Sequence, residues 1–431
     1  MISYIIPILL LISFFLFIYF ILKGGNLTIG LFVMAVLWAI IGLVPFNVAI
    51  NKIFTEPVLN YGSTIIYIIF GSWFGRVLVE SGIASAISSE TNKIGKNKPL
   101  LSAILVLLVT SFIFISAYGV GSVIAIGVIL LPIMLSVGIP RDLALTTFCL
   151  AIGAPMYINV VLFNQIKPFF PAVAYDNKYL SFAWVAAIIQ LIAVIILLVI
   201  NRKKIDSSKA ADNLKIIGAK INTDGEKGSK VAKIAYIVPI VPVAMNMLFK
   251  WDAVPSLTLA ALLAMLLTEK MNNYQALVAF INDTVKKAIS DIASLIMFLM
   301  ALTMFTGAAK IDAAHFKPLF NAILPHGHLV LAIIFGVLAP LALFRGPLHV
   351  WGAGAATAAV LSGTHLFSDY FLLPLLLIPS LLAVSTDVTQ SWNIWGLDYM
   401  KVDTKSFLKY GVPTMWIVSI INEIIAFCFF G

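Results

Sequence analysis

Charge is what this sequence has least of. Only 11% of its 431 residues are Asp, Glu, Lys or Arg, while 61% are hydrophobic. Soluble domains carry about 25% charged residues, so a water-soluble globule is excluded. Cysteine is nearly absent: Cys149 and Cys428 both lie in apolar sequence and supply neither a disulfide framework nor metal-ligand spacing. Of five histidines, His326 and His328 in "LPHGHL" read as a loop without enough further ligands for a metal. HExxH, GxSxG and a Gly-Lys phosphate loop are missing, so no enzyme and no cofactor is expected, an intramembrane enzyme being the remote alternative.

What is present is apolar sequence in long stretches. Mean hydropathy is +1.05, and runs of roughly 18 residues or more, the length of a bilayer-spanning helix, recur along the chain. These runs predict an all-α polytopic membrane protein with about ten transmembrane helices plus two re-entrant hairpins. The first run, "ISYIIPILLLISFFLFIYFIL", lacks a positive n-region and a small-residue cleavage site, so it is expected to be a retained helix and not a signal peptide. The polar insert Asn201–Lys233 carries nine Lys/Arg against four acids and is expected to be cytoplasmic. Counting outward from it puts 20 of the 28 basic residues inside and six outside, with both termini extracytoplasmic in the cell's inner membrane. The remaining two, Arg76 and Arg345, fall inside apolar segments. This placement accounts for the formal charge of +9 without nucleic acid.

The insert divides the chain into halves with one order of features. Residues 1–200 form a first repeat of five spans with a hairpin at about 100–139; 201–233 is a linker; 234–431 form a second repeat with a hairpin at about 328–362. Tyr118 precedes Asn159 by 41 residues, as Arg345 precedes Thr386; Gly82 precedes Ser116 by 34, as Ile311 precedes Arg345. Five spans per half make the repeats inverted in topology, a build shared by many secondary transporters. Each half holds two polar, Gly- or Pro-marked breaks: "SAYGVGS" and "RGPLHVWGAG" as hairpin tips, "GAPMYIN" and "STDVTQSWN" as unwound helix centres. Broken backbone at membrane depth must be buried in protein or line a cavity. Helix N-termini converging there offer partial positive charge to an anion.

A hairpin tip, an apolar run ending in proline, the turn "SVGIP" and a helix broken by a polar Gly/Pro motif, given twice in inverted form, resemble the ion transporter superfamily. Within it, "IFGSWFGRVLVESGIASAIS" and "SAYGVGSVIAIGVILLPIMLSVGIP" are most similar to the gluconate permease and citrate/proton symporter families. The resemblance implies import of a small organic anion driven by protons or sodium, usually by a homodimer whose transport domain moves like an elevator. Sodium-coupled dicarboxylate relatives carry Ser-Asn-Thr at both tips; the tips here read Ser-Ala-Tyr-Gly and Arg-Gly-Pro, which weakens sodium coupling.

Arg345 is the leading candidate for substrate binding. A guanidinium in the bilayer costs at least about 2.5–3.5 kcal/mol on insertion scales and needs a partner. Its planar fork matches a carboxylate. Asp387, the acid of the break expected opposite, is the candidate for the coupling proton: substrate on Arg345 frees it to bind H+. The competing reading is a permanent Arg345–Asp387 ion pair. Thr386, Thr389, Gln390 and Asn393 are candidate ligands in the same break, with Gly346 and His349 at the tip. Ser116, Tyr118, Gly119, Ser122, Asn159, Asn164 and Gln165 are their counterparts in the first half. Arg76 and Glu80, four apart on a helix, are expected to neutralise one another. A cation/proton antiporter using Asp387 is an alternative that a fixed cation at Arg345 opposes.

Overall fold

The computed structural model describes residues 2–23, 25–87, 98–205, 213, 216, 231–323, 327–352 and 354–431. Most of the basic insert, and His326, lie outside the described residues. The protein is all-helical, with no strand among the described residues. Six helices are long and apolar enough to cross a membrane, seven if one bent pair is a single span, and six shorter apolar helices accompany them. It is a multi-pass membrane protein.

Two long helices lead in, α1 (Ile2–Leu22) and α2 (Leu27–Ile41). The indole of Trp38 on α2 donates to Ser13 Oγ on α1 at 3.0 Å, satisfying two polar groups in apolar surroundings. Helix α3 (Phe46–Glu80) follows, with a π-helical stretch at Ala49–Thr55. Helices α4 (Pro99–Phe114) and α5 (Val120–Ser136) are separated by a short break. Then come α6 (Arg141–Gly153) and α7 (Val160–Ile166), bent by 70° across the break that contains Pro155. Helix α8 (Asn177–Ile200) completes this half.

Beyond the insert lie α9 (Val241–Phe249), α10 (Ala253–Leu267) and α11 (Tyr274–Ile323). With 50 residues, α11 is about 75 Å long at 1.5 Å per residue, against a hydrocarbon core of about 30 Å. It therefore projects beyond the apolar layer. Helix α12 (His328–Leu338) runs through a short 3-10 turn from Ala339 and a kink at Leu343 and Phe344 to a second break, and α13 (Gly354–Thr364) returns from it. Helices α14 (Asp369–Thr386), α15 (Ser391–Met400) and α16 (Thr404–Phe430) end the chain. The apolar window within Asp369–Met400 is 94% buried, against 33% for those of α8 and α16. The broken pair α14–α15 is thus central, and α8 and α16 form part of the wall around it. Helices α6 and α14 cross at Gly153, where a side chain would strike Ser385 Oγ; only glycine lets the two broken helices meet this closely.

Candidate functional site

At the first break, side chains take up much of the freed backbone. Asn159 caps α7: its Oδ1 accepts from the amides of Val161 (2.9 Å) and Leu162 (3.1 Å). Its Nδ2 donates to the carbonyls of Phe114 and Ala117, both at 3.0 Å, tying the α4–α5 tip to the broken helix. From α8, Tyr179 donates to the Tyr157 carbonyl at 2.7 Å and Tyr175 to that of Ile158. Gly119 caps α5 with φ of +101°, the left-handed region a side chain resists. This is why unwound backbone is tolerated here: side chains replace its lost helical bonds.

The second break is built differently. Asp387 follows the end of α14; its Oδ1 accepts from the Thr389 amide at 2.8 Å and its Oδ2 from the Arg345 amide at 3.3 Å. Asn393 Nδ2 donates to the Asp387 carbonyl at 2.9 Å. The tip itself is strained: Phe344 and Arg345 are consecutive non-glycine residues at φ of +56° and +60°. Each such residue costs of order 1–3 kcal/mol and concentrates at functional sites. The guanidinium of Arg345 donates to Gln390 Oε1 at 2.9 Å and to the Trp351 carbonyl at 3.3 Å, and lies 3.3 Å from His349 Nε2. Among the described residues it has no carboxylate partner within salt-bridge distance. The expected alternative of a permanent guanidinium–Asp387 pair is not what forms; Asp387 holds the backbone of Arg345.

Arg345 opens onto a cavity of about 430 Å³ between the breaks. Tyr118, Gly119 and Gln165 line it from the first half; Trp351, Thr389, Gln390 and Trp392 from the second. The amide Nε2 of Gln165 and the indole nitrogens of Trp351 and Trp392 are buried and have no acceptor. Tyr118 donates to Gln165 Oε1 at 3.3 Å. The cavity holds one fixed positive charge, the chemistry that receives a carboxylate, and three unpartnered N–H groups lie buried in the residues of its wall.

Not all candidates gather there. Ser116 is buried with its hydroxyl unpartnered, and Ser122 donates to the Tyr118 carbonyl within its own turn. Asn159 has no group left to offer a ligand. Thr386 donates back to Leu382, Asn393 is buried under the break with Oδ1 unpartnered, and Gly346 closes the tip by accepting from the His349 and Gly354 amides. His349 is fully buried against Trp351 and reaches the cavity only through Arg345. Asn164 lines a different cavity, of about 600 Å³, with Lys52, Lys167 and Lys310.

The Arg76–Glu80 pairing is corrected. Arg76 makes a two-pronged bond to Asp291 on α11, Nε–Oδ2 at 2.7 Å and Nη2–Oδ1 at 2.8 Å, while Glu80 is 4.0 Å away and pairs with Lys287 at 2.9 Å. A bidentate fork outcompetes a same-helix contact whose geometry is poor. Asp291 also lines the Arg345 cavity. The sequence reading passes over it, and over Asp312 and Glu423, both buried with neither oxygen partnered. Only Glu423 carried a sequence signal, a lone acid in an apolar run; Asp291 follows Lys286 and Lys287, and Asp312 follows Lys310.

The fold has known counterparts. The Alcanivorax borkumensis YdaH transporter matches with a TM-score of 0.59 at 12% identity over 96% of this chain and 98% of its own. Neisseria gonorrhoeae MtrF, described within a class of antimetabolite efflux pumps, matches with a TM-score of 0.59 at 12% identity over 95% and 97%. At this identity the likeness is one of fold: the chain has the fold of two membrane transporters. No protein-family model and no curated protein matches the sequence. The expected similarity to the gluconate permease and citrate/proton symporter families is therefore not supported, because the loose tip and break patterns that suggested it occur on this fold too.

Proposed function

We propose that the protein is a secondary active transporter that moves a small organic anion, a carboxylate, in symport with protons. The observation that carries this reading is the guanidinium of Arg345, which faces a cavity without an acidic partner among the described residues while neighbouring N–H groups lack acceptors. A cationic substrate would be repelled there, and a neutral one would leave the charge uncompensated. The two transporter folds that match support a transport role. In this reading residues 1–200 and 234–431 are inverted repeats, each supplying a hairpin tip and a broken helix. Substrate carboxylate sits on Arg345 and Gln390, with Tyr118, Gln165 and Thr389 as further ligands. Movement of the tips and broken helices past α3 and α11 alternates access in the manner of an elevator, in a homodimer of the inner membrane.

Uptake of a panel of radiolabelled organic acids into proteoliposomes, under a proton or a sodium gradient, tests this. Accumulation of one acid driven by the proton gradient and lost in Arg345→Gln is expected. Accumulation driven by sodium alone moves the coupling to the hydroxyls and carbonyls of the breaks. A second reading is export: the likeness to an efflux pump favours it, and faster loss of a preloaded acid than its uptake, under a gradient favouring exit, distinguishes it.

A further inference from the structure

We propose that Glu423, a residue outside the substrate cavity, carries the coupled proton. This rests on the proton-symport reading above and names the group that reading leaves open, since both oxygens of Asp387 are taken by backbone amides. Glu423 lies on α16, is fully buried, and among the described residues neither of its carboxyl oxygens has a hydrogen-bond partner. An ionised carboxylate is not stable in such a place without a cation or donors; a neutral carboxylic acid is tolerated. An acid in the interior of an apolar helix with no structural bond to make is a functional group by default.

Its surroundings give it a way to act. Helix α16 packs on α12, α14, α8 and α6. The stem of Glu423 touches α12 at Gly336, where an added side chain would meet its Cγ at 3.4 Å and the Ile420 backbone at 3.0 Å. Helix α12 is the arm that leads into the Arg345 tip. On the other side, Asn422 donates to the Tyr157 hydroxyl at 3.0 Å and to the Ala186 carbonyl at 3.3 Å, linking the same turn of α16 to the first break. Tyr157, bonded to the neighbouring Asn422, is the titratable side chain of this contact, and among the described residues no basic side chain pairs with Glu423. Asn422 Oδ1, also unpartnered, is a spare acceptor on the neighbouring residue. Loss of the proton puts a charge into this dry contact, so α12 must separate from α16 and admit water before the carboxylate is stable. Binding of a proton reseats the arm. The hairpin that presents Arg345 is thereby linked to proton occupancy, which is the requirement for symport.

Asp312, the other unpartnered buried acid, packs on Gly42 of α2 and touches neither a tip nor a break. The test compares wild type, Glu423→Gln and Glu423→Asp in proteoliposomes by two assays. One is accumulation driven by a proton gradient; the other is counterflow, exchange of labelled for unlabelled acid with no gradient. Glu423→Gln is expected to keep counterflow within about threefold while losing gradient-driven accumulation tenfold or more; Glu423→Asp keeps both in part. Gradient-driven accumulation in Glu423→Gln equal to wild type overturns the proposal and leaves the symport reading standing. Loss of counterflow together with accumulation also overturns it, since Glu423 then serves substrate passage or the fold. Wild-type uptake that ignores the proton gradient refutes the symport reading itself, and the proposal with it.

Discussion

The two breaks do the same structural job with opposite outcomes. At the first, one amide side chain, Asn159, makes four hydrogen bonds, and two tyrosines close the remaining carbonyls. At the second, Asp387 uses both oxygens on backbone amides, but the neighbouring guanidinium has only neutral partners, two indoles have no acceptor and the tip is strained. A satisfied break is a hinge or an anchor; a break with donors to spare is a place for a ligand. Unmet donors gather mainly at the second break, with Gln165 the first half's contribution to the same cavity, although the sequence spacing treats the two breaks as equivalents.

Substitutions can break this comparison at its strongest point first. Asn159→Ala strands two carbonyls and two amides in a dry environment, at about 1–3 kcal/mol per group. It is expected to lower stability by about 4 kcal/mol or more, read as an earlier midpoint in denaturant-induced unfolding of the purified protein; a midpoint like that of wild type removes its anchoring role. Arg345→Gln removes charge-assisted bonds worth about 1.5–3 kcal/mol, so substrate affinity should fall roughly ten- to a hundredfold with stability little changed. The mirror pattern, stability lost and affinity kept, would make Arg345 the structural member.

Two smaller effects sharpen the contrast. Arg76→Gln leaves Asp291 unneutralised on the cavity wall opposite Arg345. A free negative charge there should weaken anion binding by about 1 kcal/mol, several-fold in affinity, and more at low salt. Glu80→Gln, which leaves the Arg76–Asp291 fork intact, should do neither; equal effects of the two would restore the Arg76–Glu80 pair. Asp387→Asn retains one acceptor for the Thr389 or the Arg345 amide, so a loss of only about 1 kcal/mol in stability is expected. Gradient-driven uptake by this variant should remain coupled; uncoupling would return the proton to Asp387.

The helical class, the breaks and Arg345 were legible because they depend on composition and local chemistry. A run of Leu, Ile and Phe needs no partner to read as a helix in lipid, and Pro155 or the Arg345-Gly346-Pro347 tip marks a stop wherever it occurs. Bonding partners were not legible. Arg76 has a helical neighbour in Glu80 that sequence spacing favours, and only the packing of α3 on α11 reveals Asp291. Asn159 and Asn164 look alike in sequence, yet one is consumed by backbone and the other faces a separate cavity. Glu423 is visible as an acid in an apolar run, but its lack of partners is a property of how α16 packs on α12, α14, α8 and α6.

Equilibrium binding of radiolabelled organic acids to purified wild type and Arg345→Gln tests the central claim most directly, because it involves no gradient, coupling or direction. Saturable binding of at least one carboxylate to wild type is expected, and binding at least tenfold weaker to a folded Arg345→Gln. A carboxylate that binds both proteins equally would contradict it and place the ligand away from the second tip.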